Sequence, residues 1–490
     1  MELDNNIILR YIQYKFKNCI DYNKMPTNSF ENFLLSWVPD RSKLKRPYYL
    51  TLANALEADI ISGKLVAGTR LPPQRELADF LDLNFTTVTS AYNLCRERNL
   101  IYGITGRGTF VSPLPGKMHS FSAVSGIAVT ELGVVKGFDR VNTHVLEASE
   151  NVLKKGYINE LYSYTEPAGH LHQRAAGAHF MRRMDVFTDS EHTAIFSGAQ
   201  NVISAALLSL FCIGDALAVD EYTYSNLIGT ARLSHIRLIP VCGDCSGMHP
   251  DELDKVCRKE SVKGVFLMPN CANPTTVTLS EKRKDELAAI IERYNLILIE
   301  DDNTGILPAA APDYHSMFSR LPKQTVYICN STMTLCNGLR VAFAAFPESF
   351  RLQLLNALYL LNIKTSSFDA EIVTELILSG KASKILEQKA ALARRRNQIA
   401  DSILPQMEKA GSTAAFFRWF KLPQGVPDGI ELEKQLLEHK VNVYAAYRFT
   451  VLRKPRNYLR LAISSPVSDE ELSAGLSRVR DFVKQYTAEN

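Results

Sequence analysis

Three apolar runs of this chain stop abruptly on groups that bind ligands. Ala216–Val219 is followed by Asp220-Glu221, Gly264–Met268 by Pro269-Asn270, and Leu296–Ile299 by Glu300-Asp301-Asp302. Short uninterrupted apolar runs have the length and composition of strands buried on both faces. In open sheets of such strands, ligands bind beyond the carboxyl ends, so the polar tips form the candidate site. A second cluster, Cys242-Gly-Asp-Cys245, has the spacing of half a zinc site. No second pair follows, and a closed site needs four ligands, so structural thiols beside a turn are expected. A third set is Thr86, Thr87, Thr89, Ser90 and Asn93, interleaved with Val88, Ala91, Tyr92 and Cys95 at helical spacing. Such a helix buries its apolar stripe and leaves hydroxyls and an amide on its other faces, where they reach phosphates and base edges.

The elements that must hold these groups are spread over 490 residues, a length that predicts roughly three folding units. With 46% hydrophobic and 22% charged residues, the composition excludes a disordered, collagen-like or coiled-coil chain. The formal charge, 56 − 52 = +4, is too small to demand nucleic acid or membrane as a partner, so any DNA-binding reading rests on local motifs. The first residues lack the basic and apolar regions of a secretory signal. The longest apolar stretch, Val202 to Ile213, falls short of the roughly 20 residues of a membrane span. A cytoplasmic protein without a membrane partner is expected. Nine scattered cysteines do not make a disulfide framework.

Ser112-Pro-Leu-Pro-Gly116 reads as a linker. Before it, Leu52, Leu56 and Ile60 mark one helix, and Leu77, Phe80 and Leu81 a second that opens after Pro72-Pro73. Asp82-Leu83-Asn84 makes a tight turn with Asn84 as N-cap of the third helix. Leu100-Ile-Tyr102 and Thr109-Phe-Val111 then flank a glycine-rich loop as two short strands. Short helix, turn, longer helix and hairpin make a winged helix-turn-helix pattern. Through Gly68-Thr-Arg-Leu-Pro-Pro73, Arg75-Glu-Leu-Ala78, Thr86-Thr-Val88 and Gly106-Arg-Gly-Thr-Phe-Val111, the segment resembles the GntR-type winged helix. That resemblance implies binding of double-stranded DNA through Arg75, Thr86, Thr87, Thr89, Gly106 and Arg107. Phe85 stands where the family usually has arginine, and Thr89 where a basic residue is common. Two missing phosphate contacts flatten the salt dependence of log K by roughly two units, so binding is expected to be weak for a monomer and to need a dimer.

Beyond the linker, strand and helix patterns alternate, as in a mostly parallel sheet covered by helices. Tyr164-Thr-Glu-Pro-Ala-Gly169, Ser197-Gly-Ala-Gln200, Glu221-Tyr-Thr-Tyr224, Pro269-Asn-Cys-Ala-Asn-Pro-Thr275, Glu300-Asp-Asp302 and Gly338-Leu-Arg340 occur in that order. Together they resemble fold-type I pyridoxal phosphate aminotransferases, and the pairing with a winged helix resembles the MocR/GabR-type regulators. The resemblance implies that Gly198 and Ala199 offer backbone amides to the cofactor phosphate at a helix N-terminus, that Arg340 clamps it and that Thr332 adds a hydroxyl. It further implies that Tyr224 stacks on the pyridine ring, Asn273 bonds the ring's phenolic oxygen and Asp301 keeps the ring nitrogen protonated. Tyr164 would reach a partner subunit's phosphate, and Arg460 would hold a ligand carboxylate. In the family the Schiff-base lysine lies seven residues before the phosphate arginine; here that position is Met333, and no lysine lies between Lys323 and Lys364. Methionine has no amine to bind the cofactor covalently or shuttle a proton. Asn303, Thr276, Asn337 and Ala342 depart from the family pattern as well.

The resulting expectation is an α/β protein: a winged helix-turn-helix and a fold-type I aminotransferase-like domain with a mostly parallel large lobe and a smaller α+β lobe. Its expected divisions are an extension (1–44), the winged helix (45–112), a linker (113–125) and the effector and dimerisation domain (126–490), with lobes of about 150–365 and 366–490. The function expected is transcriptional regulation by a homodimer that senses a small-molecule effector. Pyridoxal 5'-phosphate or another B6 vitamer, bound non-covalently and without transaminase turnover, is the candidate. The alternatives are a working aminotransferase that uses another lysine, such as Lys323 or Lys364, and a DNA-binding scaffold without a ligand.

Overall fold

The computed structural model describes residues 36–61, 64–65, 69–98, 100–104, 108–111, 129–138, 142–302, 315–405, 415–452 and 455–487. The chain divides into two compact units, one up to Val124 and one from Ser125. No helix among the described residues is long and apolar enough to cross a membrane.

In the first unit, α1 (Tyr48–Ile61), α2 (Gln74–Leu81) and α3 (Phe85–Glu97) precede an antiparallel hairpin of β1 (Ile101–Ile104) and β2 (Gly108–Val111). Pro73 is the N-cap of α2, and Asp82 ends it in the left-handed conformation at φ 47°. The Asn84 side chain then accepts the Thr86 amide proton at 2.9 Å and starts α3. The turn expected from sequence is thus built by a left-handed C-cap followed at once by an N-cap. Leu52 and Leu56 of α1, Leu77 and Leu81 of α2, and Val88, Tyr92 and Cys95 of α3 form its core. Trp37 is buried in the same core, and its indole N–H donates to Asp59 at 2.8 Å. Residues 36–44, assigned above to an extension, therefore pack as part of this unit. A single tryptophan in a segment without periodicity gave no helical or strand signal to reveal it. Gly106 and Arg107, which fall between β1 and β2 in the sequence, lie outside the described residues.

The second unit is organised by a seven-stranded sheet of β3 (Thr193–Phe196), β4 (Ala216–Asp220), β5 (Arg237–Val241), β6 (Val262–Leu267), β7 (Ile297–Asp302), β8 (Thr325–Asn330) and β9 (Ala342–Ala345). Their spatial order is β3-β9-β8-β7-β6-β4-β5. All pairs are parallel except those of β9, which runs antiparallel to β8 and β3. Alternate residues face opposite layers. Tyr327 and Cys329 join a core with α4 (Thr143–Leu153) and α5 (Leu171–Met181), while Val326 and Ile328 face α6 (Ala199–Leu210) and α7 (Glu348–Asn362). Sheet and α7 pack against α6 and bury most of the longest apolar stretch, although Leu208 and Ile213 stay exposed. Ser204 and Ser209 fit there because each hydroxyl donates one turn back, at 2.9 and 2.7 Å. Farther along come α8 (Ser367–Leu378), α9 (Lys381–Ile403) and a three-stranded antiparallel sheet of β10 (Arg418–Lys421), β11 (Tyr444–Ala445) and β12 (Tyr458–Leu461), with β12 central. The last helix, α10 (Asp469–Thr487), shares a core with this sheet and α9.

One strand runs farther than expected. Glu300, Asp301 and Asp302 are not residues beyond the β7 strand but its last three, all buried. The Met317 and Phe318 amides donate to the Glu300 carboxylate, each at 2.8 Å, and the Tyr327 hydroxyl donates to Asp302 at 3.0 Å. Local partners of this kind allow carboxylates inside a sheet.

Candidate effector pocket and nucleic-acid interface

The sheet register brings three distant segments together. Ala342, at the start of β9, pairs with Asn330 at the end of β8 and with Phe196 at the end of β3. Thr332 and Gly198 each lie two residues beyond a paired strand end, and Arg340 two residues before Ala342. The antiparallel strand therefore sets three segments side by side at the carboxyl edge of the sheet. Gly198 caps α6 at φ 84° and ψ 166°, a conformation essentially restricted to glycine. A Cβ there would stand 2.8 Å from Arg340 Nη2, so the missing side chain is what admits the guanidinium. The Gly198 amide donates to Phe196 O at 2.8 Å and is thus used locally, unlike the role expected for it. The first-turn amides of Ala199 and Gln200 are those that helix geometry leaves without a partner. The Thr332 hydroxyl is buried and has no hydrogen-bond partner among the described residues. A guanidinium, an orphan hydroxyl and a helix N-terminus behind a glycine fit an anion the size of phosphate.

The residues expected to meet a ring gather near this cup, Tyr224 close enough to Asp301, Arg340 and Arg460 to feel their charges. Strand alternation turns Asp301 to the face opposite Glu300 and Asp302, and Asp301 is completely buried. Burial, reinforced by the nearby Asp301 charge, pushes the Tyr224 phenol up to about 12. The Tyr224 hydroxyl accepts from Asn226 at 3.0 Å. Burial pushes the Arg460 guanidinium down to about 10. Arg460 lies 4.7 Å from the centroid of the Phe449 ring and donates to Asn273 Oδ1 at 3.0 Å and to Gly133 O, while its Nε has no partner among the described residues. Asn273 and Arg460, given separate ligand contacts above, thus hold each other. Tyr164 is 86% exposed.

Met333 follows Thr332 in a single helical turn, Ser331–Thr334, and packs half-buried against the core. Neither alternative lysine is placed to replace it. Lys323 precedes β8 at its amino end, roughly 20 Å of strand from the opposite edge. The Lys364 ammonium donates to Ser163 O, Thr165 Oγ1 and Ser367 Oγ at 2.8, 3.1 and 2.7 Å. A third lysine escaped sequence reading: Lys389 of α9, 1% exposed, donates to Met333 O at 3.2 Å and to Leu335 O at 2.9 Å. Only its helical position among apolar neighbours hinted at burial. Thr276, where the family has glycine, is buried at φ 61°, a strained setting for a β-branched residue. Cys242 and Cys245 are exposed thiols, the first preceding and the second in the turn of a hairpin in which Gly243–Asp244 pairs with Gly247–Met248.

In the first unit, Thr86, Thr87 and Ser90 of α3 line a shallow groove with Arg46, Tyr48 and Tyr49 at the start of α1. These last three were missed, since only the fold sets the start of α1 beside that of α3. Arg75 is exposed and lies 5.7 Å over the Phe85 ring, so Phe85 carries a guanidinium where the family carries its own. The Thr89 hydroxyl instead donates to Gln74 at 2.9 Å and ties α3 to α2.

Comparison with known proteins gives this geometry a setting. Residues 48–111 match the family described as bacterial regulatory proteins, gntR family, and residues 136–479 match aminotransferase class I and II. An uncharacterized HTH-type transcriptional regulator of Bacillus subtilis, YdeF, is 34% identical over 470 residues, covering 94% of this chain and all of the relative. The vitamin B6 salvage pathway transcriptional repressor PtsJ of Salmonella typhimurium is 26% identical over 293 residues, 60% of this chain and 66% of its own. Among solved structures, an archaeal alanine:glyoxylate aminotransferase superposes with a TM-score of 0.68 at 21% identity, covering 74% of this chain and 92% of that one.

Proposed function

The chain belongs to the class I and II aminotransferase family and carries a gntR-family winged helix, and from that premise we propose a DNA-binding transcriptional regulator that senses a B6 vitamer without turning it over. Met333 carries the proposal. A phosphate cup retained beside a position that lacks an amine supports binding separated from covalent chemistry. The Gly198 cradle and the orphan Thr332 hydroxyl fit a phosphate ester. In this reading Arg340, Thr332 and the Ala199 amide hold the phosphate, Tyr224 covers the ring, and Asp301 holds the proton on the ring nitrogen. When bound, the ring would supply an electron sink, but no residue at position 333 can accept or return the proton that transamination moves. Arg460 and Asn273 release each other to receive a ligand carboxylate and the ring oxygen. The relative that names vitamin B6 salvage adds weight to a phosphorylated vitamer as the signal.

The active form in this reading is a homodimer binding two symmetric half-sites, with Tyr164 contributing to its partner's cup. The ligand acts by preferring one arrangement of the paired DNA-binding units. Pyridoxamine phosphate, pyridoxal phosphate and their dephosphorylated forms are titrated against the full chain by thermal shift. Stabilisation by the phosphorylated forms without a borohydride-trappable lysine adduct is expected; at 100 times Kd it amounts to about 2.7 kcal/mol. A specific lysine adduct accompanied by amino-group transfer would overturn the proposal.

A further inference from the structure

A second cleft opens at the same edge of the large sheet, at β4 and β6, with a cavity of about 300 Å³. Its lining does not include Arg340, Thr332, Met333 or Asp301. One wall is aromatic. Trp419 of β10 stacks on Tyr458 of β12 with centroids 5.1 Å apart and planes 4° from parallel. Tyr222 closes the corner, tilted at 5.3 Å from Trp419 and 5.8 Å from Tyr458. The Tyr222 hydroxyl is held in place by the Arg456 amide, which donates to it at 2.9 Å. Apolar groups from Leu267, Val277 and Leu279 complete the floor.

The charges around this wall are segregated. Asp220 and Glu221, at the tip of β4, supply carboxylates from the large-sheet side, while Lys421 and Arg456 supply cations from beside the aromatic pair. Asp244 also lines the cleft, but Arg283 neutralises it at 2.9 Å. Burial pushes the Asp220 carboxyl up to about 7, with the Met248 amide as its one opposing hydrogen bond. A carboxyl so placed gains from the arrival of a cation. A lone anion would meet Asp220 and Glu221, and a lone cation would meet Lys421 and Arg456. A molecule bearing both charges around an apolar body satisfies both walls. The volume sits at the lower end for small-molecule pockets, which favours a metabolite over a larger ligand.

We infer that this cleft is a second effector site, for a zwitterionic α-amino acid whose apolar or aromatic side chain lies against Trp419, Tyr222 and Tyr458, its ammonium facing Asp220 and Glu221 and its carboxylate facing Arg456 and Lys421. The site does not depend on the vitamer reading, because it shares no ligand-binding residue with the phosphate cup.

The test uses the full chain with L-phenylalanine as probe and two half-ligands, 3-phenylpropionate and phenethylamine. Trp419 is one of only two tryptophans in the chain, so binding is read as a change in its fluorescence, with Trp37→Phe removing the other signal. Phenylalanine is expected to bind more tightly than either half-ligand. Arg456→Gln should weaken phenylalanine and phenylpropionate roughly ten- to a hundredfold, as expected for a lost charge-assisted hydrogen bond, and leave phenethylamine unchanged. Glu221→Gln should weaken phenylalanine and phenethylamine and leave phenylpropionate unchanged, and both residues lie at the rim, where neutral replacements leave the core intact. Calorimetry in buffers of different ionisation enthalpy should show net proton release near neutral pH, as the ligand ammonium drives Asp220 to ionise. Binding that persists under saturating pyridoxamine phosphate supports the second site. Competition with pyridoxamine phosphate, insensitivity to both rim variants, or no fluorescence response at millimolar phenylalanine would overturn it.

Discussion

Replacing Gly198 by alanine tests whether the phosphate cup is the organising feature of the large unit. The backbone there, at φ 84° and ψ 166°, costs a side-chain-bearing residue about 1–3 kcal/mol, which should lower the thermal midpoint of the unliganded protein. The larger effect concerns binding. The new Cβ would lie 2.8 Å from Arg340 Nη2, where ordinary contact begins at 3.4 Å, so the guanidinium must retreat by about 0.6 Å. A charge-assisted hydrogen bond is worth about 1.5–3 kcal/mol, and spoiling one of a bidentate pair corresponds to roughly a ten- to hundredfold loss. That loss should fall on pyridoxamine phosphate and spare pyridoxamine, so the ratio of the two Kd values is the quantity to measure by calorimetry. Arg340→Gln should reduce the same ratio. In the double variant the Gly198→Ala change should add less than about 0.5 kcal/mol, because its target is already gone. A folded Gly198→Ala protein with an unchanged ratio, or fully additive effects, would refute the argument.

Met333→Lys should create a borohydride-trappable pyridoxal phosphate adduct at residue 333, detected by peptide mass spectrometry; a folded, vitamer-binding variant without an adduct would show that position 333 does not face the cofactor. Thr86→Ala and Thr87→Ala should each weaken operator binding in a footprinting titration, with a smaller effect from Thr89→Ala, whose hydroxyl already bonds Gln74; equal losses at all three positions would count against this interface. Trp37→Ala should cost the first unit about 3–5 kcal/mol, read as a lower unfolding midpoint; an unchanged midpoint would remove residues 36–44 from its core. Burial raises the Glu371 carboxyl, but hydrogen bonds from His172, Lys155, Gln173 and Tyr157 outweigh it and hold Glu371 well below the glutamate range. A depressed folded-state value gives stability that is present above the unfolded glutamate value of about 4.3 and is lost as pH falls below it. Denaturant midpoints should therefore drop on that acid limb, and Glu371→Gln should flatten the drop; an unchanged limb would contradict the assignment.

Much of the first unit was legible in the sequence because its signals are local. A three-residue turn with Asn84 as cap and an apolar stripe through Val88, Tyr92 and Cys95 fix a helix-turn-helix without reference to anything distant. Strands β4, β6 and β7 were legible as apolar runs, although β7 was cut short because buried carboxylates interrupt the hydropathy that marks a strand. The meeting of Gly198, Thr332 and Arg340 has no local signal. It depends on β9 lying between β8 and β3, and only the resemblance to a known family linked those positions in advance. The same holds for the Asn273–Arg460 bond and for Lys389, whose partners are backbone carbonyls that leave no mark on a sequence.

The reversed strand β9 has a consequence for how such a protein can change. The cup is drawn from the ends of three neighbouring strands, so its outline is inherited from backbone hydrogen bonding and tolerates the exchange of individual side chains. Covalent capture of a cofactor, by contrast, hangs on one amine. A single replacement at that point can silence a catalyst while leaving a receptor behind, and the new role begins with its recognition surface already built.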